Sequence, residues 1–352
     1  MEQNFYDCID CGTENCPCYL AATGDCLVCS RLAGKDYCDC NWKGVCIYNE
    51  FIQSGKKINN VREEFTAKVE ENKRYGQDTV VLVLDVGRGF ALKCAKPGSY
   101  VFLKRAEDED FYNIPISVMK SDITGGKIHL AVKEMSAKSK RITEVQPHFE
   151  HIDAGTTDSA GKANENIAGS NKRENIGGED SLCVRGVYRN GILGIKSLIG
   201  PRGKVDTDRK MMIVTKGVGF APAAHMLEWI DGRARADIYT DTDKIEEELI
   251  AEYLPQRLNG KRENIDLRRE FEFKGTERIS ALYKAGGYDT LVVFASDYYI
   301  EQIGKILKID ARSNNFRLCC GEGICGACAF TDDFGRTFKM CKCSGIMPTE
   351  NF

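Results

Sequence analysis

Near the end of the chain, Cys320, Cys325 and Cys328 stand with four residues between the first pair and two between the second, in the run Cys320-Gly321-Glu322-Gly323-Ile324-Cys325-Gly326-Ala327-Cys328. This is the ligand spacing of a plant-type [2Fe–2S] cluster. A loop that wraps a compact anionic cluster must turn sharply and aim backbone N–H groups at sulfur. Gly321, Gly323 and Gly326 permit the positive φ values this requires. The fourth ligand has to come from farther on: Cys341, returned by the turn in TDDFGRTF, is the preferred donor, and Cys343 competes with it. Zinc more often recruits two paired knuckles, and Cys319 is expected to be a bystander.

A second group of thiols lies at the other end. Cys8, Cys11, Cys16, Cys18, Cys26, Cys29, Cys38, Cys40 and Cys46 fall within 39 residues, and none of the four histidines is among them. Any metal site there is all-thiolate unless a backbone or carboxylate group joins it. Ionised thiolates packed this closely repel one another, so metal binding is what makes the arrangement favourable and folds the segment. One or two [4Fe–4S] clusters are the favoured occupants, with structural zinc and thiol redox chemistry as alternatives. Spacing does not say which thiol goes to which centre.

These groups need elements to position them, and 352 residues allow two or three domains with cores of their own. The cysteine-rich segment occupies 1–50, followed by near-helical apolar spacing over 47–62. From Phe65 the runs FTAKVEENKRY, DTVVLVLDV, SYVFLKR, ISVMK and KIHLAVKEM read as strands of a small antiparallel barrel spanning 63–200. Within it, 147–180 is rich in Gly, Ala, Asn, Ser and charge and reads as a flexible insertion. Strands and helices then alternate over 208–312, as in a doubly wound, Rossmann-like α/β domain, and 313–352 forms the cluster-binding segment. The expected fold is α/β plus all-β. Net charge is −3, which gives no reason to expect nucleic acid. The start, MEQNFYDCID, lacks a signal sequence and no apolar run approaches the roughly 18 residues of a membrane span, so a cytoplasmic protein is expected.

In the α/β part, the strand Met211–Thr215 runs into Lys216-Gly217-Val218-Gly219-Phe220-Ala221-Pro222. Glycines let a pyrophosphate approach the backbone, a helix N-terminus supplies N–H donors, and Pro222 suits a first helical turn. The next strand ends in Asp241-Thr242-Asp243, where a carboxylate is placed to accept from the ribose of NADH and to repel the extra phosphate of NADPH.

With AKPGSYVFLK, IPISV, KGVGFAP and CGEGICGAC in that order, residues 63–345 resemble the ferredoxin-reductase-like electron-transfer subunit of dihydroorotate dehydrogenase and its sulfide dehydrogenase relatives. The resemblance implies FAD between barrel and α/β domain, hydride entry from NAD(H), and single electrons leaving through the [2Fe–2S] cluster. The recipient would be a catalytic oxidoreductase subunit or a ferredoxin-like protein. It also implies that Pro115, Ile116 and Ser117 line the flavin, and that Lys133, Ser136 and Ser139 contact its phosphates. Two positions depart from the family: Ile114 replaces an arginine before Pro-Ile-Ser, and Ala295-Ser296-Asp297 replaces Cys-Gly-Pro near the nicotinamide. A flavin-free scaffold that carries clusters and docks a partner is therefore the alternative reading.

Overall fold

The computed structural model describes residues 8–40, 42–58, 61–147, 180–199, 208–273 and 277–345. Most of the expected insertion at 147–180 lies outside them. Two short helices, α1 (Tyr19–Thr23) and α2 (Ile47–Gln53), punctuate the cysteine-rich segment. A closed antiparallel barrel follows, built from β1 (Glu63–Tyr75), β2 (Thr79–Asp85), β3 (Tyr100–Arg105), β4 (Ile114–Asp122), β5 (Lys127–Lys133) and β6 (Ser181–Tyr188), in the order β1-β2-β5-β4-β3-β6. Helices α3 (Gly87–Cys94) and α4 (Ala137–Thr143) interrupt it.

Strand β2 is buried along nearly its whole length, without the alternation of a half-solvated strand. Val80, Leu82 and Leu84 fill the barrel, while Val81, with Met119 and Ala131, packs outward into the core of the next domain. Both faces are thus covered, which explains the continuous apolar run.

That domain comprises β7 (Ile192–Leu193), α5 (Ile195–Leu198), β8 (Lys210–Lys216), α6 (Phe220–Ile230), β9 (Arg235–Asp241), α7 (Glu247–Tyr253), β10 (Arg262–Asn264), α8 (Glu277–Gly286), β11 (Thr290–Phe294), α9 (Asp297–Gly304) and β12 (Ala311–Ser313). Its sheet runs β10-β9-β8-β11-β12-β7, parallel except for β7. The barrel therefore ends at Tyr188, and Ile192–Leu193, read from sequence as barrel, joins the edge of the other sheet. Helix α6 is buried on almost every face because it is held between its own sheet and barrel strand β4. A final hairpin, β13 (Ala329–Thr331) and β14 (Thr337–Lys339), follows the cysteine loop. Among the described residues no helix is long and apolar enough to cross a membrane.

Candidate functional site

A cleft of about 610 Å³ lies between barrel and α/β domain, within the roughly 300–1,000 Å³ of small-molecule sites. Pro115, Ser117 and Lys133 face it from the barrel. Gly217, Gly219 and Pro222 face it from the turn between β8 and α6, and Ala295, Ser296 and Asp297 from the end of β11. Its wall continues through Asn314, Phe316 and Leu318, so it ends where the cysteine loop begins. Gly219 allows the turn to close: a Cβ there would stand 2.2 Å from the Phe294 carbonyl oxygen.

Several expected contacts are not brought to the cleft. Strand alternation puts Pro115 and Ser117 on its side and turns Ile116, with Ile114, against the barrel core. Ser136 and Ser139 instead cap α4: Ser136 Oγ accepts from the Ser139 amide at 3.3 Å, and Ser139 Oγ accepts from the Ser136 amide at 3.0 Å. Asp241 is buried and its carboxylate is consumed internally, accepting from Lys216 Nζ at 2.5 Å, the Leu267 amide at 3.0 Å and the Asp243 amide at 2.9 Å. The half-exposed carboxylate at this strand end belongs to Asp243. His225 is buried in α6, and burial holds its pKa down to about 4.

The C-terminal thiols do converge. Gly321, Gly323 and Gly326 have φ of 72°, 77° and 75°. The Glu322 amide donates to Cys320 Sγ at 3.3 Å, the Gly323 amide to Cys341 Sγ at 3.1 Å, and the Cys341 amide to Cys328 Sγ at 3.3 Å. Interaction with the neighbouring Cys341 thiol holds Cys320 down to about 3 and Cys328 down to about 6, while the pKa of Cys341 is pushed up. Cys320 also pairs with Cys325. Cys341 is thus the thiol gathered with the loop, whereas Cys343 pairs through its backbone with Cys8. Among the described residues, no three His, Cys, Asp or Glu side chains are grouped so as to hold a metal ion.

No protein-family model matches the chain, and no curated protein matches it in sequence. Solved structures do. The structure of an NADH-dependent reduced ferredoxin–NADP oxidoreductase, described for flavin-based electron bifurcation, aligns with a TM-score of 0.53 at 13% identity, over 78% of this chain and 85% of that one. The fold is ferredoxin–NADP reductase-like. Also similar are the ferredoxin–NADP+ reductase of Plasmodium falciparum (TM-score 0.45, 11% identity, 70% of this chain and 92% of that one) and an Amycolatopsis cytochrome P450 reductase (0.44, 14%, 72% and 67%).

The N-terminal segment packs onto the C-terminal end of this reductase-like body. Cys8, Cys11, Cys16, Cys18 and Cys26 line one small cavity, closed by Leu20, Leu27 and Ile47. Hydrogen bonding to Cys11 holds Cys16 down to about 7, and burial pushes Cys8 up. Cys38 and Cys40 lie 4.0 Å apart outside that cavity, and Cys46 is exposed. Trp42 lies against Gly12 and Gly44.

Sequence reasoning missed the charges that lock the segment in place. Lys342, fully buried, donates at 2.8 Å to both Asp10 and Glu322. Arg62 donates to the same two carboxylates at 2.6 and 3.2 Å, and stacks 4.3 Å over the Tyr188 ring. Two cations and two anions thus neutralise one another out of water, which such burial demands. No local signal announces partners this far apart in the chain.

Proposed function

We propose that the chain is an NAD(H)-linked flavoprotein oxidoreductase subunit that passes single electrons through a [2Fe–2S] centre to a partner protein. The observation carrying this reading is the continuity of the cleft, from the glycine turn at α6, past Pro115 and Ser117, to the segment that enters the cysteine loop. A bound flavin supplies the conversion between the two electrons of a hydride and the one electron a cluster accepts. The residues of the cleft suit a flavin and a dinucleotide. The β8–α6 turn offers a helix N-terminus to a pyrophosphate, Lys133 and Lys244 line the cleft with positive charge, and the half-exposed Asp243 would disfavour the extra phosphate of NADPH. Cys320, Cys325, Cys328 and Cys341 would hold the cluster, with the Glu322 and Gly323 amides directed at its thiolates. The finer likeness to the dihydroorotate dehydrogenase subunit rests on IPISV, KGVGFAP and CGEGICGAC, and the partner it suggests is a catalytic oxidoreductase subunit or a ferredoxin-like protein.

Anaerobically purified protein should carry FAD, iron and acid-labile sulfide, and NADH should bleach the flavin absorbance. A second reading, a flavin-free conduit, is favoured by Ile114, which turns toward the barrel core and leaves no arginine for the flavin, and by Ala295 at the position of the family's cysteine. Iron without flavin, and no bleaching by NADH, would select it.

A further inference from the structure

Three lysines and, among the described residues, a single carboxylate line the cleft between barrel and α/β domain. Lys133 faces it from the barrel, Lys216 and Lys244 from beside the ends of β8 and β9, and Asp297 from the first turn of α9, just after β11. Lysines suit the phosphates of a dinucleotide. A carboxylate repels them, so what Asp297 attracts is another part of the ligand. The sheet says which part. A dinucleotide lies across the C-terminal ends of parallel strands where the strand order reverses, with its pyrophosphate at the glycine turn. Strand β8 is that point: β9 and β10 lie on one side of it, β11 and β12 on the other. The acidic end of β9 serves the ribose of the adenosine half. The nicotinamide half is left over β11, beside Ala295, Ser296 and Asp297. Its ring is a cation when oxidised and neutral when reduced.

Asp297 is exposed and available to such a ring. Its carboxylate accepts from the neutral side chain of Asn315 at 3.0 Å, and Asn315 is itself fixed by a 2.8 Å bond to the Ala295 carbonyl. Asp241 differs, since Lys216 neutralises it at 2.5 Å. Burial holds the pKa of Arg312, in β12, below the usual range, and the charge of Asp297 opposes that shift, although no hydrogen bond joins the two. A carboxylate in the first turn also suits a helix N-terminus. That role concerns the helix alone and gives no dependence on the charge of a ligand.

We propose that Asp297 selects the charge state of the nicotinamide: its carboxylate favours the oxidised, cationic ring, so that the cleft holds NAD+ more tightly than a neutral residue there would allow and leaves NADH unaffected. The proposal rests on the NAD(H) reading of the cleft. It concerns binding alone: Asp297 makes no covalent bond, and no electron or proton passes through it. Asn315 is the positioning residue that keeps the carboxylate at the end of β11.

The test measures dissociation constants on the full chain, purified anaerobically: NAD+ with the oxidised protein and NADH with the reduced protein, so that no hydride moves in either titration. Asp297→Asn keeps the acceptor for Asn315 and removes the charge. It should weaken NAD+ about fivefold, the size of an exposed charge pair, and change NADH by less than about twofold. Asp297→Glu, which keeps the charge, should retain most of the preference. Equal weakening of both ligands would overturn the proposal. No change in either would overturn it too and would mean that Arg312 already neutralises the carboxylate. A loss of thermal stability with an unaltered ratio of the two constants would assign Asp297 to the helix alone. If Asp297→Asn does not fold, salt decides on the unaltered protein: NAD+ affinity should fall more steeply with ionic strength than NADH affinity, and equal slopes would sink the idea. Failure of the underlying reading looks different, because the unaltered protein would then bind neither NAD+ nor NADH.

Discussion

The two cysteine-rich ends of the molecule solve the same problem in opposite ways. The C-terminal loop carries its geometry locally: three glycines at positive φ, three thiols at fixed spacing, and amides already directed at sulfur. The N-terminal segment has more thiols but only short helices, and its order comes from contacts with distant residues, Lys342, Arg62 and Arg189 among them. A site whose backbone supplies its own turns can be read from spacing. A site whose shape is imposed by tertiary contacts cannot, however many ligands it offers.

The strongest way to break this comparison is at the fourth C-terminal ligand. Cys341→Ser should abolish the [2Fe–2S] signal, whereas Cys343→Ser should retain it, because the Cys341 sulfur accepts from the loop amide of Gly323 while Cys343 faces Cys8. Equal loss in both variants, measured as iron, sulfide and visible absorbance, would mean that the loop is not locally determined. Next in size is Lys342→Met. It removes the cation shared by two buried carboxylates, and breaking such a network costs about 3–5 kcal/mol. Thermal unfolding and limited proteolysis should show the N-terminal segment released first. A uniform loss of stability, with the segment still protected, would argue that it is held by its own metal and not by the charge ring.

The same division governs what could be read without a structure. The barrel strands and the glycine turn before α6 are local patterns, and each stands where its pattern points. The enclosure of Asp241 is not legible, because its position at a strand end says nothing of Lys216 or the Leu267 amide closing over it. Ser136 and Ser139 were read as phosphate contacts although they satisfy one another as a cap, with serine where a capping box usually has glutamate or glutamine. Ile116 followed from alternation once the barrel side of β4 was known, and sequence alone does not say which side that is. The Asp10–Arg62–Glu322–Lys342 ring was invisible: each residue is an ordinary charge in its local context, and Asp10 and Lys342 lie 332 positions apart.

The smallest effect separates the two kinds of order within a single loop. Gly323 and Gly326 have nearly the same backbone conformation, at φ 77° and 75°. Alanine at either position pays the left-handed penalty, about 1–2 kcal/mol. They differ in surroundings: nothing lies within 4 Å of a Cβ built at Gly326, while at Gly323 it meets Leu20 of the N-terminal segment at 3.0 Å. Gly326→Ala should therefore show the backbone cost alone, with the N-terminal thiols as protected from alkylation as in the unaltered protein. Gly323→Ala should cost about 1 kcal/mol more, since crowding a packed contact is unfavourable, and should raise the alkylation rate of Cys18 and Cys26, two of the five thiols that share the cavity with Leu20. If the two variants behave alike, Leu20 yields without consequence and the ends of the chain touch without depending on each other. If they differ as expected, a methyl group in the C-terminal loop is felt by thiols some three hundred residues earlier, and the two ends form one structural unit.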